Sequence, residues 1–287
     1  MWVIVGCIAL VLAGLTAVVR WGGLAVQPPP APRPAAAGPT DPPPVTLVVR
    51  NYLWYLVVAL AAGAAGGILA AGAGGRLVMR LLAVTAGAGA QGRITEAEEV
   101  VGRISVGGTL GLVLFTGLFV GLPAAAGYLL LRRWLPAGRA GGLAYGGLLL
   151  VAAGTRVEPL RAGNPDFDLV GPGWLAVAAF AALVVFCGML VAAVAGRVSR
   201  AVPLLAARPG AVAVHAPLLV LVLPGPLLAL LLIVVGVAVV LVSRIPSVVA
   251  AWHARSLVVV GRAMLAVAAL VSLPGFASAV VDILGRP

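Results

Sequence analysis

No lysine occurs among the 287 residues, and carboxylates are nearly as scarce, eight against nineteen arginines. Charged residues make up 9% of the chain, where a water-soluble domain has about a quarter. Such a chain cannot cover its own surface with polar groups, so an ordinary soluble fold is excluded. Histidine and cysteine number two each. Cys7 and Cys187 stand alone in apolar segments, without CxxC or Cys/His spacing. They read as small buried hydrophobes rather than as metal or redox ligands. His215 lies beside Pro217 and His253 beside Trp252, and both read as hydrogen-bonding residues at a membrane interface. No HExxH, GxSxG, HxxxH or Walker pattern is present, so none of these catalytic motifs is available. A net charge of +11 would point to nucleic acid in a soluble protein. The arginines, however, are scattered among the loops with no aromatic-interleaved basic face, so no nucleic-acid partner is expected. They read as loop charges that set membrane topology and meet anionic lipid head groups.

What fills the chain is apolar: 62% hydrophobic residues and a mean hydropathy of +1.16. The fold class expected is all-α, a polytopic bundle of about seven transmembrane helices, each long enough for ~30 Å of hydrocarbon. Residues 1–26 make the first span. A cleaved leader is the competing reading, but the stretch opens without a cation and its apolar run is too long. Residues 27–50 are a Pro-rich tether, with Pro28-Pro29-Pro30 and Pro42-Pro43-Pro44 in an extended polyproline spacer. Residues 51–287 form the membrane domain, with further spans at 52–74, 104–131, 141–154, 174–196, 218–242 and 257–283. The stretch 141–154 is short and Gly-rich, so it must be buried among other helices to cross. All six tryptophans fall at or beyond the ends of these spans, the head-group level where indole concentrates.

Gly63, Gly67, Ala71 and Gly75 recur every four residues and give one span a flat face for close helix packing. Arg76 and Arg80, at i,i+4 beside Leu77, Leu81 and Leu82, read as a short interfacial helix. The polar loop after it, within 76–104, holds Thr95-Glu96-Ala97-Glu98. This matches a capping box, with Thr95 as N-cap of the helix leading into the third span. Glu96 suits that helix's N-terminal dipole, and Glu99 is left to pair with Arg103.

A second acidic loop holds Glu158, Asp166 and Asp168, whose oxygens offer a hard-cation site without the EF-hand spacing. The plainer reading is a solvated turn paired with Arg156 or Arg161, so neither metal nor cofactor is expected. Arg76, Arg80, Glu99, Asp166 and Asp168 are therefore the candidate ligand-binding residues. Pro224, Pro226, Pro274 and Gly275 break two spans, where exposed backbone could meet a solute. Arg262 and Asp282 sit near span ends, within snorkelling distance of the surface.

Met79–Thr85, Gly92–Glu98, Gly102–Ser105 and Gly108–Leu110, with Asp166–Leu169 and Pro172–Leu175, resemble a group of uncharacterised actinobacterial multi-pass membrane proteins. The resemblance covers roughly residues 60–196. It implies an actinobacterial host and adds no activity and no site residues.

The expected function is that of a non-catalytic accessory or scaffold component of the cell membrane. A small-molecule or lipid carrier using the broken helices and a lipid enzyme at the interface are the alternatives. Membrane lipids and other membrane proteins are the partners expected. Seven spans divide the loop arginines eight against eight, so orientation rests on the first segment, uncharged before it and followed by Arg20 and Arg33. That places the N-terminus outside and the C-terminus in the cytoplasm.

Overall fold

The computed structural model describes residues 2–29, 43–96, 98–156, 159–205, 210–222 and 226–286. Most of the Pro-rich tether, Pro224, Arg33, Arg208 and Glu158 lie outside them. Among the described residues the regular secondary structure is all helix apart from one isolated antiparallel bridge, Ile94 to Val100. The helices are α1 (Trp2–Trp21), α2 (Val45–Thr85), α3 (Val106–Leu131), α4 (Gly138–Ala152), α5 (Gly173–Val198), α6 (Ala211–His215), α7 (Pro226–Val242), α8 (Pro246–His253) and α9 (Arg255–Leu284). Five of these, α1, α2, α3, α5 and α9, are long and apolar enough to cross a membrane. A sixth candidate is α7 with α8, bent by 98° at their junction. The chain is thus an all-α bundle of membrane-crossing length, with fewer such helices than the seven its hydropathy suggests.

Helix α2 differs most from expectation. It starts at Val45, inside the stretch assigned to the tether, and runs for 41 residues through Arg76 and Arg80 without a break. There is no separate interfacial helix. A π-helical turn at Gly66–Gly72 lies in its middle, and a second, Leu112–Thr116, lies in α3. The two π-turns pack against one another.

Glycines make that crossing. A Cβ on Gly67 would lie 2.0 Å from the Gly117 carbonyl oxygen, and one on Gly121 would lie 2.1 Å from that of Gly63. Gly72 meets Val113 in the same way, at 2.6 Å. The expected face therefore holds at Gly63 and Gly67 and fails beyond them, because a π-turn adds a residue and moves the face on by one position. Gly72 takes the contact in place of Ala71, and a Cβ on Gly75 would meet nothing within 4 Å. A second glycine contact joins α4 to α5, where Gly146 and Gly188 touch backbone to backbone. It seats the 15-residue α4, about 22 Å long, against its neighbour.

Contacts at the helix ends give the order of the chain through the bundle. Arg197, near the end of α5, stacks on Trp21 at the end of α1, so these helices run parallel. Gly173, at the start of α5, packs on Ile283 at the end of α9, so these run antiparallel. The beginning of α1 and the end of α9 consequently lie at the same end of the bundle. We refer to it as the cap, and to the opposite end as the collar. Trp54 belongs to the collar but not to its surface. It is fully buried, and its Nε1 donates to the Val202 carbonyl at 2.9 Å. Of the six tryptophans expected at the head-group level, Trp54 therefore serves the core instead.

Pro274 and Gly275 are exposed within α9, which continues through them as one helix of 30 residues. They form no break. Pro226 begins α7 at its first turn, where a missing N–H costs nothing.

Candidate functional site

Two polar groups occupy the cap. The first forms where the loop after α2 meets the loop before α5. Arg161 makes an ion pair with Glu96, and the Glu96 amide donates to Asp166 Oδ1 at 2.7 Å. Asn164 Oδ1 accepts from the Asp166 amide at 2.8 Å, which caps the short turn Pro165–Asp168. Arg286, beyond the end of α9, closes the group. It donates to the carbonyls of Asn164 and Ala162 and pairs with Asp168 at 3.4 Å. Among the described residues Asp168 pairs with Arg286, and Arg161 also reaches the other loop through Glu96. Arg156 instead donates to Ala152 and to Ser272 Oγ. Phe167, Leu160 and Ile283 pack beneath, so the loop stands on an apolar base rather than free in solvent.

The second group lies along α2 and the start of α3. The capping box does not form. Glu98 has a positive φ of 57°, and the Thr95 hydroxyl accepts from the Glu99 amide at 3.2 Å, both parts of a tight turn inside the Ile94–Val100 bridge. The helix instead begins at Val106, where Ser105 Oγ accepts from the Gly108 amide at 3.0 Å. Turn geometry outweighs the capping pattern here because the loop doubles back before the helix starts. A Cβ on Gly108 would lie 2.5 Å from Glu99 Oε1, so Glu99, rather than Glu96, sits by the helix N-terminus. A carboxylate there is favoured by the helix dipole. Arg80 donates weakly to the Gly102 carbonyl, at 3.4 Å.

Arg76 lies deeper and is 8% exposed. Its Nε and Nη2 are buried with no hydrogen-bond partner. Of the five candidate ligand-binding residues, the structure gathers Arg76, Arg80 and Glu99 along the α2–α3 seam and Asp166 and Asp168 in the other group. No three His, Cys, Asp or Glu among the described residues come close enough to share a metal ion. Arg262 and Asp282 are exposed near opposite ends of α9. His215 is buried in α6, its Nδ1 2.8 Å from the Ala211 carbonyl.

Sequence reasoning passed over the collar. There Arg132, Arg133 and Arg197 lie over the rings of Tyr55, Trp252 and Trp21, at 5.5, 5.3 and 5.9 Å from the ring centroids. Arg139 donates to the Val19 carbonyl at 2.8 Å, and Arg132 to that of Val26. Alternating Arg and Trp at span ends was the available signal. Two apolar grooves lie open on the surface of the described residues, one between α2 and α7 near Tyr52, the other between α4 and α9 near Leu148. Comparison with protein-family models, curated proteins and solved structures finds no match.

Proposed function

We propose that this protein is a non-catalytic component of the cell membrane, a closed bundle that presents its folded cap to a partner. The observation that carries this reading is the backbone contact of Gly67 with Gly117 and of Gly146 with Gly188. These contacts bring α2 against α3 and α4 against α5 with no room for a side chain between them, which speaks against a polar path along either seam. The flat glycine face is spent within the chain, which directs a partner to the cap rather than to the α2 seam.

The crossings follow from the order of the chain. Helices α1, α2, α3, α4, α5 and α9 pass alternately between cap and collar, which makes six crossings with both ends of the chain at the cap. Segment 199–254 leaves the collar and returns to it, so α7 and α8 together complete no crossing. Arg132, Arg133, Arg139, Arg197, Arg200, Arg244 and Arg255 all belong to collar connections, which supports the collar as the cytoplasmic face. The N-terminus then lies outside, as the first segment suggests, and the C-terminus lies outside with it. The resemblance to actinobacterial proteins points to a bacterial cell membrane.

The test is photo-crosslinking in native membranes from Met79 and Arg93, two exposed cap positions. One polypeptide captured at fixed stoichiometry from both is the expected result. Solute uptake or lipid transfer by the purified protein in phospholipid vesicles would replace this reading with the carrier.

A further inference from the structure

Arg76 is the one arginine buried in the bundle among the described residues, and no hydrogen bond satisfies it. A guanidinium held this way loses its hydration without compensation, at a cost of several kcal/mol. Helix packing alone would select a neutral residue at such a place.

The register of the neighbouring helices defines its surroundings. Gly14 of α1 packs on Leu69 of α2 in an antiparallel crossing, which puts Cys7 opposite Arg76. On the other side, Gly67 on Gly117 and Gly72 on Val113 put Thr109 at the level of Arg76. Thr109 is buried, and its hydroxyl donates to the Ser105 carbonyl at 2.9 Å. Beside Arg76 there is room, since a Cβ on buried Gly75 would meet nothing within 4 Å apart from its chain neighbours. Nη1 is not among the buried atoms, so the guanidinium has a mouth as well as a closed back.

Depth narrows the occupant. From Tyr55, under the collar cation Arg132, to Arg76 the helix rises about 31 Å at ~1.5 Å per residue. That matches a hydrocarbon core of ~30 Å, so Arg76 lies at the opposite head-group level. The nearby carboxylate, Glu99, is engaged at the start of α3 and makes no ion pair with Arg76. A planar guanidinium fork matches the paired oxygens of a phosphate.

We propose that Arg76 is an oxyanion site that takes a phosphate group between α1, α2 and α3. The group can be that of a phospholipid or free phosphate, and the two sources are separable by experiment. This inference is independent of whether the cap meets a protein partner.

The full-length protein is purified in mild detergent alongside Arg76→Met, Arg76→Lys and a control at an exposed arginine of α9, Arg262→Met. In the first arm, native mass spectrometry counts phospholipid retained per chain. In the second, delipidated protein is titrated with inorganic phosphate and its thermal unfolding followed. A lipid source predicts one phospholipid held by wild type and Arg262→Met, and about tenfold less by Arg76→Met. A free-phosphate source predicts stabilisation by phosphate in the wild type that Arg76→Met loses. If Arg76→Met does not fold, Arg76→Lys, which keeps the charge but not the fork, should bind about tenfold more weakly in the responding arm. Wild type holding neither, or Arg76 variants holding both as well as wild type does, overturns the site.

Discussion

Single glycines decide how close the helices of this bundle come, and the π-turns decide which glycines those are. Gly67→Ala would set a Cβ 2.0 Å from a backbone oxygen that no rotamer change can move. It should destabilise the protein by about 1–3 kcal/mol, the usual cost of overpacking. Gly75→Ala, eight positions on and part of the same sequence repeat, meets open space. It should gain about 0.5–1 kcal/mol from helix propensity. Thermal unfolding of both variants in one detergent compares them directly, and equal losses would contradict the shift of register. Trp54 is a second instance in which the residue's role was hidden. A tryptophan at a span end ordinarily anchors in the head groups, whereas here a buried carbonyl at Val202 holds its indole.

At the scale of elements, the cap depends on two devices that the amino-acid pattern concealed. The capping motif at Thr95 is false, and the working N-cap is Ser105. Ser105→Ala should therefore cost about 1 kcal/mol. Glu98→Gly should cost nothing, because glycine suits its positive φ of 57°. Hydrogen exchange at the amides of residues 106–109 reads both, and a loss with Glu98→Gly alone would restore the capping box.

The second device is Arg286, which ties the loop before α5 to the end of α9 through Asn164, Ala162 and Asp168. Arg286→Ala should loosen that loop by about 1–2 kcal/mol, little of it from the exposed ion pair. The readout is faster exchange over residues 160–170, and unchanged exchange would deny Arg286 that role.

Composition made the all-helical class legible, and the two acidic loops could be singled out as a pair of polar segments. That they meet could not be read, since Glu96 and Arg161 are far apart in sequence and neither loop carries a pairing pattern. The continuity of α2 was hidden for a different reason. Arg76 and Arg80 after an apolar stretch look like the end of one helix and the start of another, yet both lie within one unbroken helix. The GxxxG at Gly117 and Gly121 was legible and passed over, although it supplies the other half of the α2 contact.

For the whole molecule, the number of crossings controls everything said about sidedness. Seven spans divide the loop arginines evenly, whereas six crossings move Arg244 and Arg255 to the collar and break the tie. Length and apolarity favour α7 as a span, whereas the six crossings we propose leave it completing none, because the chain is back at the collar where α9 begins. Long exposed apolar helices such as α7 satisfy every hydropathy criterion without stating where their ends go. The most direct measurement is labelling of single cysteines in intact cells by a membrane-impermeant maleimide, in a Cys7→Ser, Cys187→Ala background. Gly163→Cys and Gly285→Cys mark the cap, and Ala137→Cys and Ala201→Cys the collar, all at exposed positions. Six crossings predict that Gly163→Cys and Gly285→Cys react together from outside, and the collar pair only after permeabilisation. Reaction of Gly163→Cys and Gly285→Cys from opposite sides would contradict the account and restore an odd number of spans.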